Sequence, residues 1–186
     1  MIWIELGTGA VEPVSQDEAK RFLRLERDDE DALLATCLKA ARETVEAETG
    51  LFLAPRRMRL ALEVDPRVGH VHLRRRPVHS VVAALGFDEA GTAFPLEAAG
   101  FALTGEPFGT RLTVPPGLAV RAQNGLELDL DVGHPATLVA EALKLAILRL
   151  AAASFETRGI VPSGLQPAFM PPLVRALTAP FRVPRL

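Results

Sequence analysis

Residues 31–64 read DALLATCLKAARETVEAETGLFLAPRRMRLALEV, and the period of their apolar residues changes at Pro55. The apolar residues before this proline recur at helical spacing: Leu34, Cys37, Leu38, Ala41 and Val45. Those after it occupy every second position, as in a strand with one buried side: Met58, Leu60, Leu62 and Val64. Because helices and strands fall in separate segments, the sequence predicts an α+β fold.

Two helices are expected over residues 14–54, after a short leader at residues 1–13. Ser15 and Glu18 have the spacing of a capping box at the start of the first helix. Asp28 or Asp29 is expected to cap the second helix, and Gly50 to end it.

The middle region, residues 56–133, is expected to form an antiparallel β insertion. It contains short alternating segments that Gly, Pro and Asp separate. The further strand candidates are HVHLRR, HSVVAALGF, GTAFPLE, FALTG, TRLTVP and LELDLDV.

Residues 135–178 are expected to form the C-terminal helices. Pro135 suits a first helical turn, and residues 136–159 are apolar on nearly every side. A helix of this kind is buried all round, in a core or between subunits. A proline-rich loop and a short helix at residues 173–178 follow. We therefore expect a helical bundle, made of the N-terminal helix pair, the long buried helix and this short helix, with an extended tail at residues 179–186.

The charge is nearly balanced overall but uneven along the chain. The net charge of −2 divides into −6 for residues 1–50, +5 for residues 51–80, −5 for residues 81–157 and +4 for residues 158–186. Such blocks suit contacts with other protein surfaces or with further copies, and they are equally typical of a solvated surface. A balanced charge predicts no strong attraction to nucleic acid.

Composition also limits the compartment and the kinds of site. Cys37 is the only cysteine, which excludes an intramolecular disulfide and a cysteine-based zinc site. No secretory signal or membrane span is expected, since charged residues interrupt the longest apolar stretch, residues 138–153. The composition is that of a cytoplasmic protein.

Few residues have the spacing of a catalytic site. His70 and His72 share one side of a strand, as metal ligands do, and His79 is near in sequence. One alternative is therefore a small metal-dependent enzyme in the β insertion. A second is a nucleic-acid binder that uses the basic cluster Arg74–Arg76.

Four stretches, in this order, resemble the head–tail connector (adaptor) proteins of long-tailed phages and of phage-derived gene transfer agents. These stretches are VSQDEAKRFLRLERDDEDALLATCLKAARETVEAETG, VHLRRRPVHSVVAALGFDEAG, ALKLAILRLAAASFETRG and LTAPFRVPRL. They cover most of residues 14–186, whereas residues 104–126 match poorly. The third stretch ends in an aromatic-acid-x-Arg signature, here Phe155, Glu156 and Arg158.

The resemblance implies a structural protein of the particle neck, made in the cytoplasm of the bacterial host, with residues 1–186 as a single connector domain. Such proteins form a homo-oligomeric ring, usually of twelve subunits, between the portal protein and a tail-side neck protein, which is a stopper or a tail terminator. DNA passes through the ring without sequence-specific binding. The resemblance implies no cofactor, no metal and no enzymatic reaction.

The C-terminal tail is then the candidate partner-binding segment. Pro180 and Pro184 are expected to exclude helical backbone. The side chains of Phe181, Val183 and Leu186 would fill pockets of the portal or of a neighbouring subunit, and Arg182 and Arg185 would pair with acids there. The tail is expected to be mobile in the free protein; the alternative is that it packs on its own domain.

Overall fold

The structure is a computed structural model that describes residues 1–7, 10–65, 67–157 and 170–183. The chain divides into two compact units. The sheet unit comprises Met1–Val11 and Ala54–Gly133, and the helical unit comprises Glu12–Leu53 and His134–Leu186. The α+β class predicted from the sequence is confirmed, while the description of residues 1–186 as one connector domain stays a prediction.

Among its described residues, the sheet unit contains eight strands, one short α-helix and a 3₁₀ turn at Ala98–Gly100. The strands are β1 (Ile2–Leu6), β2 (Arg56–Leu62), β3 (His70–Leu73), β4 (Val78–Phe87), β5 (Ala93–Leu96), β6 (Ala102–Glu106), β7 (Gly109–Thr113) and β8 (Leu126–Val132), and the helix is Leu118–Arg121. One sheet has the strand order β1-β2-β8-β4-β5, and the other has the order β3-β7-β6. Neighbouring strands are antiparallel throughout, as the sequence predicted for the insertion.

The alternating residues explain how β2 and β8 form the centre of the larger sheet. Met58 lies opposite Leu130, and Leu60 lies opposite Leu128. All four side chains are buried, while the residues between them point to the other side of the sheet. A one-residue slip would expose the whole set, so the burial pattern fixes the register.

The expectation of a leader at residues 1–13 is wrong for Ile2–Leu6. This segment is a strand that pairs with β2, with Trp3 opposite Leu60. The pairing joins segments that are distant in sequence, so no local turn signal indicates it. The five residues before Gly7, of which only Glu5 is polar, were too short a run to predict a strand.

Gly133 allows the chain to leave β8. Its φ of 101° lies in the left-handed region that glycine tolerates, and a Cβ at this position would lie 2.0 Å from the Ala54 carbonyl oxygen. Its carbonyl accepts a hydrogen bond from His79. Gly133 is therefore required by both conformation and space.

The helical unit contains helices at Gln16–Leu23 (αA), Asp31–Thr49 (αB), Glu141–Glu156 (αC) and Pro172–Thr178 (αD). The predicted capping box is confirmed. The Glu18 amide donates to Ser15 Oγ at 3.2 Å, and the Ser15 amide donates to Glu18 Oε2 at 2.7 Å. Gly50 ends αB with a φ of 71°, also as predicted.

The predicted cap of αB by Asp28 or Asp29 is wrong. Glu30 precedes the helix, and its side chain makes no capping hydrogen bond. The carboxylates of Asp28 and Asp31 instead bind the Lys20 ammonium group. The Lys20 ammonium group on αA is a charged donor, and a carboxylate binds a charged donor more strongly than it binds one backbone amide.

The long helix αC is shorter and less buried than the sequence predicted. Its α-helical part is Glu141–Glu156, and a 3₁₀ turn at Ala136–Leu138 precedes it. The buried residues Leu143, Ala146, Ile147, Leu150, Ala151 and Phe155 share one side with the core. Arg149 on the other side is exposed, so within this chain the helix is not buried all round. Residues 158 and 159 of the expected helix lie outside the described residues.

A buried ion cluster links αB to Glu12 and Leu53, the first and last residues of the N-terminal segment of the helical unit. Arg42 Nε donates to Glu12 Oε2 at 2.9 Å, and Arg42 Nη1 donates to Glu46 Oε2 at 3.0 Å. The other carboxylate oxygen of Glu46 accepts from the Leu53 amide at 2.7 Å. The cluster thereby holds Glu12 and Leu53 against αB.

Candidate functional site

The predicted partner-binding tail begins with a turn. Ala179–Phe181 forms a 3₁₀ turn directly after αD, so the expectation that Pro180 excludes helical backbone is wrong here. A proline in the first turn removes no internal hydrogen bond, which explains why the turn accepts it. At Arg182 the backbone is extended, with φ −67° and ψ 144°. The residues Pro184, Arg185 and Leu186 lie outside the described residues.

The first half of the tail contacts its own helical unit. Phe181 is half-buried against the apolar core of that unit. The Arg182 guanidinium forms an ion pair with Glu48 of αB, and its buried Nε has no hydrogen-bond partner among the described residues. Val183 is half-buried as well.

These contacts agree with the alternative that the tail packs on its own domain, as far as Val183. The physical reason is that Phe181 packs against the apolar core of its own helical unit, and Arg182 pairs with Glu48 of the same chain. The sequence did not reveal Glu48 as this acid, because it belongs to a helix far away in sequence. The binding of a partner by Phe181, Arg182 and Val183 stays a prediction.

The three candidate metal-ligand histidines occupy two different sheets. His70 and His72 lie on β3 with their rings edge to face, 5.0 Å between centroids. His79 lies on β4, where its Nε2 donates to the Gly133 carbonyl at 2.8 Å. Nowhere in the described ranges do three or more His, Cys, Asp or Glu side chains form a group that could hold a metal ion.

His72 has an acidic neighbour that the sequence spacing did not reveal. Its Nδ1 donates to Glu106 Oε2 at 3.0 Å, and Arg111 Nε donates to the other oxygen at 2.7 Å. Strand β7 pairs with both β3 and β6, and this arrangement brings His72 and Glu106 together although they are distant in sequence. The Arg111 hydrogen bond, and to a lesser extent that of His72, lowers the pKa of Glu106. The acid therefore serves as an ion-pair partner on an exposed sheet surface.

The basic cluster is less accessible than its sequence suggested. Arg74 is exposed, whereas Arg75 and Arg76 are half-buried. Burial lowers the pKa of the Arg76 guanidinium. A phosphate backbone requires several accessible cations along one surface, and in this cluster only Arg74 is exposed.

The outer side of the larger sheet carries a set of cross-strand ion pairs. Arg59 on β2 forms two hydrogen bonds with Asp129 on β8, at 2.7 and 3.0 Å. Arg57 donates to Asp131 at 3.1 Å in the same pair of strands. This surface is therefore charged but locally compensated.

None of the helices among the described residues has the length and apolar character needed to cross a membrane.

Comparison with known proteins found solved structures only. No protein-family model and no curated protein matches the chain. A chain in the neck of an empty gene transfer agent (GTA) particle, computed with C6 symmetry, is 28% identical with a TM-score of 0.75. A chain in the virion of a native GTA particle gives the same identity and TM-score.

A chain in the neck of a native GTA particle, computed with C12 symmetry, is 27% identical with a TM-score of 0.69. In each of the three comparisons the match covers 100% of the present chain and 97% of the solved one. The chain is thus similar, from end to end, to proteins that are parts of gene transfer agent particles.

Proposed function

We propose that this chain is a structural, non-enzymatic neck protein of a phage-like particle of the gene transfer agent type. The observation that carries the proposal is the similarity of the whole chain to chains of GTA necks, at 27–28% identity. Both units take part in this match, which favours one shared role for the chain. The histidine-enzyme alternative has no such support, because His72 and His79 each bind a protein oxygen and lie on separate sheets.

The finer proposal is an adaptor: a ring of twelve copies, built in part from a helical bundle, that joins the portal protein to a stopper or tail terminator and extends the DNA channel. The resemblance of the four sequence stretches supports it, as does the C12 symmetry of one similar neck. The net charge of −2 suits a channel, since strong phosphate binding would hold DNA back. We also propose that the protein is made in the host cytoplasm and needs no cofactor.

The portal is the proposed partner of the tail, residues 181–186. Since Phe181 and Arg182 already contact their own unit, the terminal residues Pro184, Arg185 and Leu186 are the ones we propose to make first contact with the portal. Binding through Arg182 would exchange its Glu48 pair for an acid of the portal.

The test mixes the purified protein with a portal ring from its own particle and measures the mass of the complex. We expect about twelve copies per portal, in agreement with the ring proposal. A protein that never joins the portal, at any concentration or salt, would contradict the adaptor proposal. A cryo-EM reconstruction of the complex then shows whether this chain surrounds the channel.

Two truncations separate the role of the tail from the stability of the fold. Removing residues 184–186 should leave the thermal midpoint unchanged and weaken portal binding at least tenfold. Removing residues 181–186 should also lower the midpoint, because the half-buried Phe181 is lost. If the shorter truncation binds the portal as well as the full chain, the tail is not the portal-binding segment.

A further inference from the structure

Asn124 is the only asparagine of the chain, and Gly125 follows it directly. The pair lies between the helix Leu118–Arg121 and strand β8, and the Asn124 side chain is exposed. An asparagine before glycine is especially prone to lose its side-chain amide, because glycine has no Cβ to keep its backbone nitrogen away from the side-chain carbonyl carbon. The pair is therefore chemically labile unless the fold protects it.

The Asn124 side chain holds the turn that connects β4 to β5. Its Nδ2 donates to the Asp88 carbonyl at 2.7 Å and to the Glu89 carbonyl at 2.9 Å. The Asp88 carboxylate organises the same turn, since its Oδ1 accepts from the Ala90 amide at 3.0 Å and from the Thr92 amide at 2.8 Å. Among side chains of this length, only that of asparagine offers two uncharged N–H donors, so the turn needs asparagine here.

The next position needs glycine. Gly125 has a φ of 98°, in the left-handed region, and a Cβ there would lie 2.8 Å from the Leu62 carbonyl oxygen. The Gly125 carbonyl accepts from the Phe87 amide at 3.1 Å, which ties the start of β8 to the end of β4. The fold thus requires both residues of a labile pair, and neither can be replaced by a less reactive residue without loss of these contacts.

The hydrogen bonds of the folded chain oppose the loss of the amide. The attacking atom of this reaction is the Gly125 nitrogen, whose N–H donates to the Ala122 carbonyl at 3.1 Å. Attack also requires the Asn124 side chain to rotate toward that nitrogen, and its two hydrogen bonds to the turn resist this rotation. The reaction therefore requires a local opening in which residues 88–92 first release the side chain.

We propose that Asn124 is a site of spontaneous deamidation, and that the turn at residues 88–92 controls its rate. When the turn opens, a solvent base removes the Gly125 amide proton and the nitrogen attacks the Asn124 side-chain carbonyl carbon. A Cγ–N bond forms, the Cγ–Nδ2 bond breaks, and the leaving group takes up a proton and departs as ammonia. Water then opens the succinimide ring to aspartate or isoaspartate, so water is consumed and ammonia is released.

The product cannot close the turn again. A carboxylate at position 124 has no N–H to donate, and it would place a negative charge against the carbonyl oxygens of Asp88 and Glu89. Deamidation therefore makes a temporary opening of the turn permanent. The reaction concerns the sheet unit alone and does not depend on whether copies form a ring.

The wild-type protein tests the site without any substitution. The full chain is incubated in mildly alkaline buffer, once native and once denatured in guanidinium chloride, and peptide mass spectrometry measures the fraction of acid at residue 124. We expect deamidation of the native chain to be at least tenfold slower than that of the denatured chain. Rates that agree within a factor of two would overturn the control by the turn, and a denatured chain that keeps its amide for weeks would overturn the site itself.

Two substitutions separate the geometry of the turn from its charge. Asp88→Ala removes the acceptor of the Ala90 and Thr92 amides, whereas Glu89→Ala removes a like charge and keeps the carbonyl that binds Asn124. We expect Asp88→Ala to raise the native rate at least fivefold and Glu89→Ala to change it less than twofold, with circular dichroism confirming that both variants are folded. Equal rates in two folded variants would contradict the proposed role of the turn.

Hydrogen–deuterium exchange of Asn124→Asp, which imitates the product, provides a further readout. Amides of residues 88–92 should exchange at least tenfold faster than in the wild-type protein. Gln123→Glu is the matched control, since it adds the same charge at the neighbouring exposed residue and should change this exchange less than twofold. Exchange in Asn124→Asp that equals that of the control would overturn the inference that the product keeps the turn open.

Discussion

The substitution Glu46→Ala should destabilise the helical unit strongly. Glu46 is 2% exposed, and its carboxylate binds Arg42, which is completely buried, and the amide of Leu53. Removing one member of a buried ion pair costs about 3–5 kcal/mol, because the other charge stays buried. Because Glu12 still binds Arg42, the cost of leaving the Arg42 charge without Glu46 should lie at the lower limit of this range, about 3 kcal/mol.

The Leu53 amide adds to this cost. It donates to Glu46 at 2.7 Å in a buried position, and a buried donor without its acceptor costs about 1–3 kcal/mol. We therefore expect Glu46→Ala to lower the free energy of unfolding by about 4 kcal/mol. Glu46→Gln keeps an acceptor oxygen for this amide and should cost about 1 kcal/mol less.

Urea unfolding followed by circular dichroism at 222 nm measures the effect on the helices. With a slope of about 2 kcal/mol per molar urea, the midpoint should fall by about 2 M for Glu46→Ala. Glu43→Ala is the control, since Glu43 lies on the same helix with its side chain 53% exposed and 3.8 Å from Arg42. It should change stability by less than about 0.5 kcal/mol. A Glu46→Ala midpoint within error of the Glu43→Ala midpoint would refute the reasoning.

Three further predictions concern conformation and capping. Gly133→Ala should cost at least about 2 kcal/mol in urea unfolding, because its φ is left-handed and the new Cβ would meet the Ala54 carbonyl; a neutral result would contradict the turn geometry. Ser15→Ala should cost about 1 kcal/mol by removing the N-cap of αA, and Ser15→Asn should restore most of it. The pKa of Glu18 is lowered, chiefly by the hydrogen bond from the Ser15 amide. The stability advantage over Glu18→Gln should therefore be complete above the usual pKa range of a glutamate and disappear as pH falls through the lowered pKa; an advantage that persists at pH 2 would show another cause.

Local sequence signals predicted most of the elements correctly. The alternation in β2 and the Ser15–Glu18 spacing each depend on neighbouring residues, and the structure confirms both. The errors concern contacts between distant segments. Lys20 binds Asp28 in place of a cap, and Ile2–Leu6 becomes a strand because β2 is available to pair with it.

The candidate site was harder to predict than the fold for the same reason. The tail composition indicated an unusual end, but its first contacts depend on Glu48, which only the folded helix brings near Arg182. Similarly, Glu106 contacts His72 because β7 pairs with both of their strands. Single-sequence reasoning has no access to such neighbours, since no local period encodes them.

The alternating charge blocks have a different meaning once the strands are paired. The basic residues Arg57 and Arg59 belong to the positive block, and the structure pairs them with Asp131 and Asp129 from the following negative block. These charges compensate each other within one sheet, so they are poor candidates for attraction between copies. Contacts between copies should therefore depend only weakly on salt. Association that weakens steeply between about 50 and 500 mM salt would show that the charge blocks do attract neighbouring copies.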